Sequence, residues 1–326
     1  MFTLLKSIFV ILLFCCIAVE IHAEGEANAE AITEASSPRQ YRNGVFINRI
    51  NEFDVKRGMA EIDFWYWLTT TDNSATLQNL ELSNGKLEPM GEPITQKRKG
   101  LFYISRRYVA QVQCTLNLEK FPFDQQRIVL SFEDGDLTSS QMVFIPDRIN
   151  SGIDPAFKMN EWDIKDIEYQ TAKHHYNSSF GYLDIPAGEG SDYSQFNVIV
   201  TLTRRGSVLQ KLFKYFWAVV VSVIVGLFAL LIRVCDLDGR FGMAVGALFA
   251  NVGCSFLLSD KLPESPCVST AEWVSYISLG FIMVFLVESI ISLAIYNRGY
   301  TKFSKQLDWG TFIVSIVGYI GMWFFI

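Results

Sequence analysis

Seven acidic, small and aromatic residues recur at helical spacing in the second half of the chain, and their types suit the passage of ions. They follow one another at intervals of 4, 4, 3, 4, 3 and 4 residues and are Asp238, Gly242, Gly246, Phe249, Gly253, Phe256 and Asp260. At about 100° per residue they fall within an arc of roughly 80°, which is one helix face. This set, called the stripe below, predicts either a pore wall with acidic mouths and phenylalanine constrictions or a surface for close helix packing in a membrane.

The chain around the stripe is divided into a polar and an apolar half. It has 326 residues, half of them hydrophobic, and a formal net charge of −6, which argues against nucleic acid as a partner. Four long apolar runs occupy residues 212–234, 241–258, 273–296 and 309–326. As helices they would be about 27 to 36 Å long, close to the ~30 Å of a bilayer core. We therefore expect a four-helix transmembrane domain over residues 206–326.

The N-terminus has the features of a secretory signal peptide. Residues 1–23 combine one lysine, an apolar run and a small residue at Ala23, after which we expect cleavage. Residues 24–43 are small, acidic and poor in apolar side chains, and are expected to be disordered. Export places the following domain outside the cell membrane, and four spans return the C-terminus to the same side. The connection before the fourth span then carries three basic residues inside, as the positive-inside rule requires.

Residues 44–205 have the alternating pattern of short strands separated by polar turns. We predict strands over residues 44–50, 60–70, 101–118, 126–133, 141–147, 162–170 and 195–204. Together they indicate an all-β, immunoglobulin-like antiparallel sandwich. Cys114 is the only cysteine of this domain, so an internal disulfide is excluded. Neither an enzyme nor a metal or cofactor site is predicted, since no nucleophile and base set, metal cluster or phosphate loop stands out.

A proline-centred tip follows Cys114 and connects the domain to a known family. Residues 114–124 read CTLNLEKFPFD and end in Phe121, Pro122, Phe123 and Asp124. Taken alone this is a turn, but further matches occur in order: Glu-Trp-Asp-Ile at 161–164, Arg204 and Arg205 before the first apolar run, Arg240 opening the second run, and Leu262-Pro263 after it. The chain resembles the pentameric ligand-gated ion channels of the Cys-loop receptor superfamily. It is most similar to the prokaryotic branch, because Ile128 stands where animal receptors have the second cysteine.

The resemblance implies a homopentamer in a lipid bilayer, here the inner membrane of a bacterium, with the second helix around a central pore. The stripe would then form rings of five residues. Asp238 and Asp260 would select monovalent cations, and Phe249 and Phe256 would act as gates. The implied function is a cation-selective channel that a small molecule or protons open through the periplasmic domain.

The resemblance also implies two sites in the periplasmic domain. The tip would rest on the linker between the second and third helices, with Leu262 and Pro263 beneath it, and Asp124 would bond Arg204 rather than Arg205. Agonists would bind under the loop at 177–194, with an aromatic box that suits cations. The candidates are Glu133, Tyr176, Tyr182, Tyr193, Trp65 and Trp67. Aromatic residues in a strand such as residues 60–70 are also typical of a hydrophobic core, which is the alternative for Trp65 and Trp67. His174 and His175 suit a metal site, a pH sensor or, preferably, exposed strand positions.

Two other functions remain open from the sequence. One is a non-conducting, membrane-anchored periplasmic binding or sensor protein, and the other is an anion-selective channel of the same fold. Acidic residues at both ends of the stripe favour cation conduction over both alternatives. Glu288, an acidic residue well inside the third apolar run, is either functional or paired with a polar neighbour.

Overall fold

The computed structural model describes residues 37–181, 188, 190–263 and 267–324. Within these residues ten strands precede four helices. The strands are β1 (Arg39–Asp54), β2 (Met59–Thr70), β3 (Leu80–Leu82), β4 (Gly85–Arg98), β5 (Leu101–Gln113), β6 (Gln125–Asp134), β7 (Met142–Pro146), β8 (Gly152–Ile153), β9 (Trp162–Tyr176) and β10 (Ser191–Arg204). The helices are α1 (Val208–Ala229), α2 (Leu237–Ser259), α3 (Thr270–Asn297) and α4 (Thr301–Met322). The predicted order of a β-rich region followed by helices is confirmed, whereas the predicted signal peptide at 1–23 lies outside the described residues.

The strands form two sheets around one hydrophobic core. The larger sheet has the order β4-β5-β2-β1-β7 with β8 beside β1, and the smaller has the order β3-β6-β10-β9. Alternate side chains point into the space between the sheets, as strand geometry requires. Phe64 of β2 contacts Phe132 of β6 with ring centroids 5.6 Å apart, and Phe132 stacks on Phe196 of β10 at 5.9 Å. The sandwich is not purely antiparallel, because β1 pairs in parallel with both β7 and β8.

Two differences from the sequence prediction have simple causes. Strand β1 begins at Arg39 rather than at the predicted residue 44, because residues 39–43 pair with Met142–Pro146 of β7. The predicted disorder of 24–43 is therefore wrong from Arg39 onward, and residues 24–36 lie outside the described part. Strand β4 was not predicted because it has no hydrophobic alternation and almost every residue is exposed. Pairing with β5 alone keeps it extended.

Three of the helices, α1, α2 and α3, are long and apolar enough to cross a membrane, as judged over the described residues. Helix α4 begins at Thr301 instead of the predicted 309, so its first two turns include Lys302, Lys305 and Asp308. Those charges led us to predict a connecting loop there, and they make α4 less apolar than the other helices. Helix α1 ends at Ala229 rather than 234.

Candidate functional site

All seven residues of the stripe lie on the exposed face of α2. The rings of Phe249 and Phe256 are 71% and 74% exposed, although they are among the largest apolar groups of the helix. The residues of α2 that are buried lie on the other side, which packs within the chain, and are Arg240, Ala244, Ala247, Asn251 and Leu258. A single chain therefore packs one face of α2 and leaves the predicted pore face uncovered.

The glycines of the stripe are not required for packing within the chain. A Cβ atom added at Gly242, Gly246 or Gly253 would have no neighbour within 4 Å. Gly226 of α1 behaves differently, because its Cβ would lie 3.2 Å from the ring of Phe285 on α3. Three glycines would each weaken an isolated helix by about 1 kcal/mol relative to alanine. Contacts inside the chain do not account for that cost.

The two acidic ends of the stripe have different surroundings. Asp238 lies in the first turn of α2, where a negative charge is stabilised by the helix dipole. No cation pairs with it among the described residues. Asp260 caps the other end, and its Oδ1 accepts a 2.8 Å hydrogen bond from Nζ of Lys56, in the turn between β1 and β2. This lysine lowers the pKa of the Asp260 carboxyl and offsets part of its charge.

The predicted contact between the proline-centred tip and the last strand is present. Nε of Arg204 donates to Oδ1 of Asp124 at 2.7 Å, and a second guanidinium nitrogen lies 3.4 Å from Oδ2. The side chains are 11% and 1% exposed, so this ion pair is almost dry. Arg204 is also held between two aromatic rings, 4.6 Å from the centroid of Phe121 and 4.4 Å from that of Trp162. Arg205 instead pairs at 2.9 Å with Asp163 at the surface.

The tip reaches the helices through apolar and backbone contacts. Phe121 is buried against Tyr215 of α1, with ring centroids 4.9 Å apart. Leu262, after α2, belongs to the same hydrophobic cluster, against which Phe123 also packs. The amide nitrogen of Thr270, at the start of α3, donates to the carbonyl oxygen of Glu119 at 2.8 Å. Three helices therefore meet the β domain here. Pro122 lies between Phe121 and Phe123 at the same tip, and Pro263 directly follows Leu262.

Some of the predicted ligand-binding residues form a compact cluster on β6, β9 and β10. Glu133 is buried, and its carboxylate accepts hydrogen bonds from the hydroxyl of Tyr176 at 2.8 Å and from Nε2 of Gln195 at 2.6 Å. Nδ1 of His174 lies 2.6 Å from the same carboxylate. Burial, and next the hydrogen bond to Glu133, raise the pKa of the Tyr176 hydroxyl. Rings continue the cluster outward, since Tyr193 lies 5.7 Å from Tyr176 between centroids.

Sequence reasoning missed three members of this cluster. The sequence favours an exposed position for His174, and its side chain is 37% exposed, but its Nδ1 also lies 2.6 Å from Glu133. This contact is possible because His174 and Tyr176 lie on the same side of β9. The alternation along β9 predicts that the side chains of His174 and Tyr176 lie on one side of the strand. The pairing of His174 with Tyr193 of β10 places Tyr193 beside them. Phe180, whose ring is 5.1 Å from that of Tyr176, and Gln195 gave no recognisable signal.

The tryptophan candidates are not part of this cluster within one chain. Trp65 and Trp67 lie on β2, in the other sheet, and both are half-buried. Nε1 of Trp67 donates to Asp147 at 3.3 Å, and its ring covers Gly44 of β1. Tyr182 lies outside the described residues. Scans against protein-family models and against curated proteins gave no match.

Proposed function

We propose that this chain is one subunit of a pentameric, cation-selective, ligand-gated ion channel. In this proposal the β region is an immunoglobulin-like periplasmic domain, and α1 to α4 form a four-helix transmembrane domain. The observation that carries it is the uncovered face of α2, which holds all seven residues of the stripe. The resemblance described above supports a ring of five copies.

Exposure to lipid explains the stripe less well than a water-filled pore does. Lipid tails would accept the phenylalanines but give no use for glycines that contact nothing. They would also make the exposed carboxylate of Asp238 costly, since charged groups avoid the hydrocarbon region. A ring of α2 helices around water would satisfy the acidic ends. Gly242 and Gly246 would widen the lumen on the Asp238 side of the Phe249 ring, and Gly253 would widen it between the rings of Phe249 and Phe256.

Cation selectivity would depend mainly on the ring of Asp238. Its carboxylates lack a partner cation in the described chain, and five copies would concentrate negative potential at one mouth. The ring of Asp260 would contribute less, because Lys56 offsets each carboxylate at 2.8 Å. One strongly acidic ring is enough to favour cations over anions, so the two rings need not contribute equally.

Two paired strands supply a route from the ligand cluster to the helices. Strand β6 begins directly after Asp124 and carries Glu133 near its other end, about 30 Å away at ~3.3 Å per residue. Strand β10 carries Tyr193 near its start and ends at Arg204. The two strands are hydrogen-bonded along their length. A ligand that shifts Glu133 or Tyr193 would therefore strain the Asp124–Arg204 pair that faces α1.

The buried carboxylate with adjacent rings favours an organic cation as the ligand. A cation beside Glu133 would replace the hydrogen bonds from His174 and Gln195, and the rings of Tyr176 and Tyr193 would contact it through cation–π interactions.

Recording from the full-length protein in planar bilayers tests the proposal. Asymmetric potassium chloride is used across pH and with a panel of amines, carboxylates and neutral solutes. We expect ligand-dependent currents that reverse near the potassium equilibrium potential. A reversal near that of chloride would identify an anion channel. A protein that binds amines and assembles but never conducts would identify the non-conducting sensor.

A further inference from the structure

A buried polar cluster lies at the end of the helical region opposite the β domain. It consists of Arg240 on α2, Glu288 and Ser292 on α3, and Ser304 and Asp308 on α4, and all five are buried. A guanidinium nitrogen of Arg240 is 2.8 Å from Oδ2 of Asp308, and Ser292 donates to Oδ1 of Asp308 at 2.6 Å. Nε of Arg240 donates to the carbonyl oxygen of Ile232 and Nη2 to that of Leu230, both after α1, at 3.0 Å each. Nη1 of Arg240 is buried and has no hydrogen-bond partner among the described residues. Every helix or its end contributes to this cluster.

Glu288 is the acidic member of the cluster whose hydrogen bonds are incomplete. Glu288 is 5% exposed, and neither of its carboxylate oxygens has a hydrogen-bond partner among the described residues. Asp308 and Arg240 are the charged groups that interact with it electrostatically. From the end of α1, the contacts to the cluster among the described residues are the backbone carbonyls of Leu230 and Ile232. A carboxylate accepts hydrogen bonds but cannot donate them, so two ionised carboxylates side by side cannot bond each other.

The charges of the cluster do not balance if both acids are ionised. Arg240 supplies one positive charge against the negative charges of Asp308 and Glu288. A buried, uncompensated charge costs several kcal/mol, and such a group usually becomes neutral instead. One proton would remove the excess charge and also supply the missing donor. The spare lone pairs on the Asp308 oxygens could accept that hydrogen bond.

We propose that Glu288 and Asp308 form a proton-binding site, with the proton on Glu288 and its O–H group donating to the Asp308 carboxylate. Arg240 determines which of the two acids carries the proton, because it stabilises the ionised form of Asp308. Loss of the proton places two negative charges beside one guanidinium, which weakens the attachment of α4 to α2 and α3. This inference does not depend on conduction, since it concerns the protonation of one side chain.

Infrared difference spectroscopy of the full-length protein in lipid vesicles reads that protonation directly. We expect a carboxylic-acid carbonyl band at neutral pH that shifts in heavy water and is lost in Glu288→Gln. We expect Asp308→Asn to lose the same band, because Arg240 then has no other carboxylate and Glu288 ionises to pair with it. Glu272→Gln is the matched control on α3. It should keep the band, since glutamine can also complete the capping box in which Glu272 bonds Ser269.

A second measurement is the pH dependence of thermal unfolding. In the unfolded protein Glu288 is exposed and releases its proton at about pH 4, whereas the folded protein keeps that proton to higher pH. Stability should therefore fall as pH rises from about 4 through the titration of Glu288 in the folded protein. Glu288→Gln should lose that dependence. A wild-type spectrum in which Glu288→Gln removes only ionised carboxylate absorption would overturn the proposal. Failure of Glu288→Gln to fold would also overturn it, because a neutral amide closely imitates the protonated acid.

Discussion

The ion pair between Asp124 and Arg204 offers a quantitative prediction about the junction of the two regions. The two groups are 2.7 Å apart and nearly excluded from water. Removing one member leaves the other charge buried and unpaired, which typically costs 3 to 5 kcal/mol, so we expect about that loss from Asp124→Asn or Arg204→Gln alone. The double variant leaves no unpaired charge, and its loss should fall at least about 2 kcal/mol short of the sum.

The adjacent pair provides a matched control. Arg205 and Asp163 lie at a similar distance, 2.9 Å, but their side chains are 45% and 50% exposed. Water screens such pairs, so the cycle of Asp163→Asn and Arg205→Gln should give a coupling below about 1 kcal/mol. The difference between the two cycles isolates the effect of burial.

Equilibrium unfolding of the full-length protein in mixed micelles measures both cycles. Tryptophan fluorescence is suited to the junction, because the ring of Trp162 lies 4.4 Å from the Arg204 guanidinium carbon. Only variants that elute with the size of the wild-type assembly are compared. Additive losses at Asp124 and Arg204, or a coupling no larger than that of the surface pair, would refute the argument from burial.

Three further predictions concern the pore and the acid stability of the β domain. Asp238→Asn should reduce cation conductance several-fold and Asp260→Asn less, because a lysine already offsets the second carboxylate; equal effects in asymmetric salt would contradict this. Phe249→Ala should raise the ligand-free current, since a wider, less apolar ring hydrates more easily, and an unchanged current in assembled protein would argue against a gate there. Hydrogen bonding to Arg107 lowers the pKa of the Asp63 carboxyl, so its stabilisation is present above the ordinary pKa of about 4 and is lost as pH falls further. Asp63→Asn should flatten the acid side of the unfolding profile, and an unchanged profile would disprove that role.

The sequence predicted most reliably what periodicity determines. The 3.6-residue spacing of the stripe predicts one helix face, and the structure leaves that whole face exposed. Alternation likewise predicts the strands that fill the core, such as β2 with Phe64 and β6 with Phe132. In both cases the pattern is repeated along one element, so a single stretch of sequence contains it.

Features that join distant elements were harder to predict. The parallel pairing of β1 with β7 depends on residues about 100 positions apart, and alternation does not encode strand direction. The contact of Arg240 with Asp308 links two helices, and neither residue has a local pattern that identifies the other. The contact of His174 with Glu133 was hard to predict for the same reason, since Glu133 lies on another strand. The Asp124–Arg204 pair was accessible only through the family resemblance.

Cysteine labelling along α2 tests the central claim, that the stripe faces water, most directly. Single cysteines replace Gly246, Phe249 or Gly253 on the stripe, and Ala244 or Ala247 on the buried face, in a background without native cysteines. The full-length protein in vesicles is treated with a charged, membrane-impermeant thiol reagent and labelling is read by mass. We predict that the stripe positions react and the two alanine positions do not. Unreactive stripe positions in assembled protein, in the presence and absence of ligand, would contradict a water-filled pore and favour a surface that packs against lipid or protein.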